Sequence, residues 1–254
     1  MDTLVILETV YAFLFGLIYG SFLNVLLWRL PEGEGIGGRS RCRNCGHQLA
    51  WYDLVPVLSF LILRGKCRSC RQKISFRYLA VELTTGIVLA AFWFSRQPAL
   101  GLVTTFSVFG ILVFVSLFFF DLFYFILPDV IVLPAIGLFS VYDLLAVKDL
   151  LMLLVGALLI TSFFVILYTA SRGRWLGFGD IKLVILILLV LGFPVGFWAI
   201  IFGIWGGALF GLVLLASRKA TMKKALPFGS FLTLAAMVLI IFQRATDFLS
   251  KFFR

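Results

Sequence analysis

The sequence predicts an all-α polytopic membrane protein of about eight transmembrane helices, interrupted once by a small cysteine-bearing insertion. Three observations predict it. Of the 254 residues, 62% are hydrophobic and only 13% charged, with a mean hydropathy of +1.11, which is too apolar for a domain with a solvated surface. Apolar windows of about 20 residues, the length that crosses roughly 30 Å of hydrocarbon, recur along most of the chain. All four cysteines and the only histidine fall in a single polar stretch.

The first window, 3–27, follows Met1-Asp2 and contains Glu8. A removable signal would carry a basic start, so this segment is expected to be retained as the first helix. The composition then breaks between Trp28 and Tyr78, where the turn-forming run from Pro31 to Gly38 opens a loop domain, 28–78. The remaining windows, 79–95, 99–119, 125–142, 150–170, 181–199, 201–216 and 227–243, belong to a membrane core, 79–254. Within it only Gly192, Phe193, Pro194 and Val195 punctuate 181–216, so that stretch reads as two helices or as one re-entrant element.

Charge sets the orientation. Between residues 28 and 78 lie Arg29, Arg39, Arg41, Arg43, Arg64, Lys66, Arg68, Arg71, Lys73 and Arg77. The loop near 171–182 adds Arg172, Arg174 and Lys182, and that near 217–226 adds Arg218, Lys219, Lys223 and Lys224, whereas the opposite connections carry only Arg96 and Lys148. The insertion is therefore expected in the cytoplasm, with both termini outside. The formal net charge of +10 follows this one-sided distribution and faces anionic lipid in the bilayer; no recognition fold or basic helix accompanies it, which excludes nucleic acid as a partner.

Cys42-Arg-Asn-Cys45 and Cys67-Arg-Ser-Cys70 have the spacing of paired zinc-ribbon knuckles. A loop this short and basic cannot build its own hydrophobic core, and a tetrahedral ion held by Cys42, Cys45, Cys67 and Cys70 would supply the crosslink. A disulfide arrangement is disfavoured in a reducing cytoplasm. Four sulfurs close the coordination sphere, so Zn2+ is expected to be structural, with His47 outside the ligand set.

Two acids stand at the ends of apolar runs on the cytoplasmic side: Asp121 after Val113–Phe120, and Asp180 in Gly177-Phe-Gly-Asp180. A carboxylate at the hydrocarbon boundary is costly, which marks it for function. Placed together, two such groups share a proton, one accepting from water while the other donates to a carbonyl oxygen, as peptide hydrolysis requires. Gly177 and Gly179 are expected to allow close backbone approach and torsions barred to other residues. The structural alternatives are a helix N-cap for Asp180 and, for Asp129 after Pro128, an ordinary first-turn acid that rivals Asp121. Glu82 reads either as an ion-pair partner of Arg77 or as a polar site.

These motifs, in order, resemble those of the type IV prepilin peptidases: Gly20-Ser-Phe-Leu-Asn-Val25 with Arg29-Leu-Pro31, the two knuckles, Pro56-Val-Leu-Ser59, Arg77-Tyr78 with Glu82-Leu-Thr-Thr-Gly86, Asp121 to Leu127-Pro128-Asp129, and Gly177-Phe-Gly-Asp-Ile-Lys182. The resemblance covers nearly the whole chain. It implies that Asp121 and Asp180 are the catalytic pair, deciding against Asp129. It also implies type IV prepilin or pseudopilin substrates cut after a glycine at the cytoplasmic face of a bacterial inner membrane. N-methylation of the new N-terminus with S-adenosylmethionine is implied in turn, with the donor's binding residues unknown. This chain departs from the pattern just after Asp121, where Leu122, Phe123, Tyr124 and Phe125 stand. Two other readings predict different features: a proton-coupled transporter would need acids at the midplane and inverted repeats, and a zinc-ribbon scaffold would leave the two aspartates without a purpose.

Overall fold

A computed structural model describes residues 3–146, 150–217 and 226–242. The basic residues Arg218, Lys219, Lys223 and Lys224, together with Lys148, lie outside the described residues. The chain divides into two compact units, 1–98 and 99–254.

In the first unit, α1 (Thr3–Arg29) packs along α3 (Phe76–Arg96). Lipid offers no hydrophobic drive for two apolar helices to meet, so close backbone packing must hold them. Gly16 and Gly20, one turn apart on α1, permit it. A Cβ on Gly16 would sit 2.7 Å from the Gly86 Cα, and one on Gly20 would sit 2.7 Å from the Glu82 Cα. The Asn24 amide donates to the Tyr78 carbonyl at 3.0 Å, and the Trp93 indole donates to Glu8 at 3.1 Å near the other end. Between the two helices the loop domain holds only a 3-10 turn, Trp51–Leu54, and a short helix α2, Leu58–Ile62. Its organiser is Arg29, buried at the end of α1, whose guanidinium donates to the carbonyls of Gly35, Ile36, Gly37 and Arg39. The glycine-rich run thus wraps a cation instead of an apolar core.

The second unit contains α4 (Leu102–Tyr124), α5 (Asp129–Ala146), α6 (Leu150–Ser171), α7 (Phe178–Leu191), α8 (Val195–Ala216) and α9 (Phe228–Ile241). Helix α7 lies at its centre, against α5, α6, α8 and α9, while α9 also packs on α4. Leu183, Leu186, Ile187 and Leu188 of α7 are fully enclosed, whereas Leu158, Leu159 and Phe163 of α6 and Leu209 and Leu212 of α8 remain exposed. Exposed leucines on otherwise apolar helices suit a lipid surround.

The predicted helices are all present, but their limits differ. Six described helices (α1, α3, α4, α5, α6 and α8) are long and apolar enough to cross a membrane. Helices α7 and α9, of 14 residues each, reach only about 21 Å at 1.5 Å per residue. The stretch 181–216 is two helices, parted at Gly192-Phe193-Pro194. Helix α4 continues beyond the expected limit of 119 to Tyr124, which places Asp121 inside its last turn. A crossing-length window locates an apolar segment; the helix itself runs on until its hydrogen bonding ends. Here that end is Phe125, in a left-handed conformation (φ 56°) with its N–H donating to the Asp121 carbonyl at 2.9 Å.

Candidate active site and metal centre

Asp121 is 6% exposed and its carboxylate is received by the first turn of α9. The Ser230 amide donates to Oδ2 at 2.6 Å and the Ser230 hydroxyl donates to the same oxygen at 2.9 Å. The amide is available because a helix's first N–H groups have no partner within the helix. Gly229 makes the approach possible, since a Cβ there would lie 3.1 Å from Asp121 Cγ and 3.2 Å from Oδ2. Gly229→Ala should push the carboxyl aside.

Asp180 stands at the third position of α7, half-buried. Its Oδ2 accepts the Gly177 N–H at 3.0 Å, and its own N–H donates to the Gly177 carbonyl. This is the reach-back half of a capping box, for which a glycine can supply no reciprocal side chain. The glycines serve packing and not unusual torsions. Gly177 has an ordinary extended backbone (φ −77°, ψ 150°), and a Cβ on it would sit 3.3 Å from Asp180 Oδ2. A Cβ on Gly179 would meet Leu127 at 3.3 Å. Leu127 follows α4 directly, so the segment that leaves Asp121 touches the residue preceding Asp180. The two carboxyls are near enough for the charge on Asp121 to act on Asp180.

Asp129 is exposed on the first turn of α5 and ion-pairs with Lys182 of α7. The pair ties the start of α5 to α7 two residues beyond Asp180. Three acids expected near this face thus separate into a buried carboxyl, a half-buried one within reach of its charge, and an exposed one already matched by a cation. Sequence reasoning missed Gly229 and Ser230, whose only signal was a Pro227-Phe-Gly-Ser230 turn opening the last apolar helix.

In the first unit, the sulfurs of Cys42, Cys45, Cys67 and Cys70 all lie within 4.8 Å of one another, and the four thiols are free. The Cys42–Cys70 sulfur separation is 3.9 Å, against about 3.8 Å for two ligands of a tetrahedral ion at about 2.3 Å. The knuckles repeat the same backbone. Cys42 N–H donates to the His47 carbonyl and Cys67 N–H to that of Gln72; Gly46 and Arg71 return to the carbonyls of Cys42 and Cys67. Both returning residues are left-handed, at φ 71° and 59°. Short antiparallel bridges, Arg41 with Gln48 and Lys66 with Lys73, close the two turns. The Gln72 backbone amide, and after it the Asn44 side chain, pull the Cys70 thiol down to about 6, and the Cys45 backbone amide lowers Cys42. At Cys45 the His47 amide also lowers the thiol, but desolvation and the neighbouring sulfurs of Cys42 and Cys70 outweigh it and raise Cys45 to about 11. Four sulfurs this close cannot all carry charge unless a cation sits among them, which is the chemistry of a four-cysteine zinc site.

Glu82, one turn before Gly86 on α3, turns into the loop domain, where its Oε2 accepts the Val57 N–H at 2.8 Å. It anchors the turn ahead of α2 to the membrane helix.

The family described as the bacterial peptidase A24 N-terminal domain matches residues 14–95, the first unit almost entire. A prepilin leader peptidase/N-methyltransferase of Myxococcus xanthus is 37% identical over 227 residues, 84% of this chain, which spans 65% of that relative's length. Proteins of the same name from Stutzerimonas stutzeri and Pseudomonas aeruginosa are each 31% identical, over 91% and 90% of this chain and 89% and 88% of their own. No solved structure matches the chain.

Proposed function

The chain belongs to the prepilin leader peptidase/N-methyltransferase family, and we propose that within it Asp121 and Asp180 form the carboxyl pair that cuts the leader peptide. The observation that carries this reading is the enclosed Asp121 carboxyl, gripped by Ser230 at the start of α9, with Asp180 close enough to feel its charge. Such a pair holds one proton between two groups. The ionised member takes a proton from water as that water attacks the scissile carbonyl, and the protonated member donates to the carbonyl oxygen. The Ser230 donors and the Gly177 amide each fix one carboxyl, so the reacting oxygens are positioned before substrate arrives.

The substrates are prepilins or pseudopilins, cut after a glycine that ends the leader, at the cytoplasmic face of a bacterial inner membrane. The enclosed carboxyl at the end of a lipid-exposed bundle supports a substrate that enters as a membrane helix and is held extended at its cytoplasmic end. The four cysteines hold one structural zinc, and S-adenosylmethionine supplies the methyl group that the freed amine accepts. Cleavage comes first, because that amine does not exist until the leader has left.

Purified protein incubated with a prepilin and S-adenosylmethionine should release the leader and then yield a mature pilin one methyl group heavier, read by mass spectrometry. An intact substrate would overturn the reading. Asp129→Asn should cleave at close to the wild-type rate, because Asp129 is exposed and the isosteric amide oxygen can still accept from Lys182. A dead Asp129→Asn with wild-type stability would move the first carboxyl of the pair from Asp121 to Asp129.

A further inference from the structure

The first unit contains a cavity of about 320 Å³ between the membrane ends of α1 and α3 and the cysteine knuckles. That volume falls within the range of small-ligand pockets, roughly 300–1,000 Å³. The aspartate pair has no part in it, since every lining residue lies between Ser21 and Glu82. Its walls combine aromatic surface from Trp28, Phe60 and Tyr78 with the polar groups of Ser21, Asn24 and Ser59. Cys42 and Cys67 also line it, so the metal centre's two knuckles shape the wall.

Two buried ionisable groups face this space. Arg29 is 5% exposed and its terminal nitrogens are spent on backbone carbonyls. Its Nε is buried with no hydrogen-bond partner, and among the described residues no carboxylate lies in ion-pair range of it. A buried cation with an open donor and no counter-charge is costly until an anion is supplied. Glu82, 8% exposed, places a carboxyl in the same lining. A ligand matched to both carries a carboxylate for Arg29, a cationic centre for Glu82 and a flat ring for the aromatic wall.

We infer that this cavity is the methyl-donor site, taking an adenosyl sulfonium amino acid whose carboxylate is held by Arg29 and whose cationic end is balanced by Glu82. The inference rests on the methyltransferase half of the proposed function and is independent of the aspartate pair. The zinc centre then has a second consequence besides folding the loop, because it fixes the wall against which the ligand is held. Lining residues from α1, α2, α3 and the knuckles come together only when the loop is folded back onto the helices.

The test uses the full-length protein in detergent, with S-adenosylhomocysteine titrated calorimetrically and radiolabelled S-adenosylmethionine crosslinked by ultraviolet light. Ser59→Phe fills the cavity from α2. It should weaken binding by at least about tenfold while zinc content stays at the wild-type level. The crosslink should map to peptides within 21–29 or 40–82. Wild-type affinity in a zinc-replete Ser59→Phe would overturn the assignment, as would labelling confined to 99–254, a result that does not depend on any variant folding. A wild-type protein that cuts prepilin but binds neither compound and leaves mature pilin unmethylated would overturn the methyltransferase reading itself, and this inference with it.

Discussion

Asp121→Asn and Asp180→Asn should each slow prepilin cleavage by at least about 10³-fold, within or above the range for loss of a positioned acid–base group. The amide is isosteric with the carboxylate. Its carbonyl oxygen can still accept from Ser230 at position 121 or from Gly177 at position 180, so shape and packing survive while the shared proton is lost. Melting temperature and elution volume should stay at wild-type values. The double variant should be no slower than either single one, since groups that act as a unit fail together. Steady-state cleavage measured by mass spectrometry decides it: substantial turnover by either single variant would dismiss the pair, and multiplicative losses in the double variant would show two independent groups.

Elemental analysis should find about one zinc per chain, and Cys42→Ser with Cys67→Ser should abolish it. Structural zinc sites of this type contribute about 10–16 kcal/mol of binding free energy, more than the whole stability of many domains. Beyond the Arg29 carbonyl cradle and the Glu82–Val57 bond, the loop between α1 and α3 has little else. Its described ladder is two isolated bridges, and Trp51, Leu58 and Ile62 stay exposed. Loss of the ion should therefore open Arg39–Lys73 to trypsin while the second unit keeps its melting transition. Full zinc content in the double variant would exclude the four-cysteine site, and an intact, protease-resistant loop without zinc would remove the metal's structural role.

Much of this was legible before any coordinates. Cysteine spacing is a local signal, because two residues between thiolates suffice to build a knuckle, and Cys42, Cys45, Cys67 and Cys70 form the one cluster expected. Asp121 and Asp180 stood out because a carboxyl beside an apolar run is expensive wherever the chain folds. Helix limits were less legible. Hydropathy does not distinguish an apolar helix that faces outward, such as α6, from one such as α7 that is enclosed by its neighbours, and it carries no record of the left-handed Phe125 that ends α4. The spacing of Gly16 and Gly20 was visible, but which helix they admit was not.

The sequence by itself determined the membrane class and the four-cysteine cluster, which depend on residue type and short spacing, and it marked Asp121, Asp129 and Asp180 as candidate acids, among which only the family resemblance chose. Tertiary structure alone decided how those groups are held. Ser230 reaches Asp121 across 109 positions, Leu127 meets Gly179, Lys182 pairs with Asp129, and Val57 meets Glu82. Each contact joins segments far apart in the chain. Which donor reaches which acceptor follows from how closely helices pack in lipid, where small residues and unpaired backbone groups set the geometry and apolar periodicity does not.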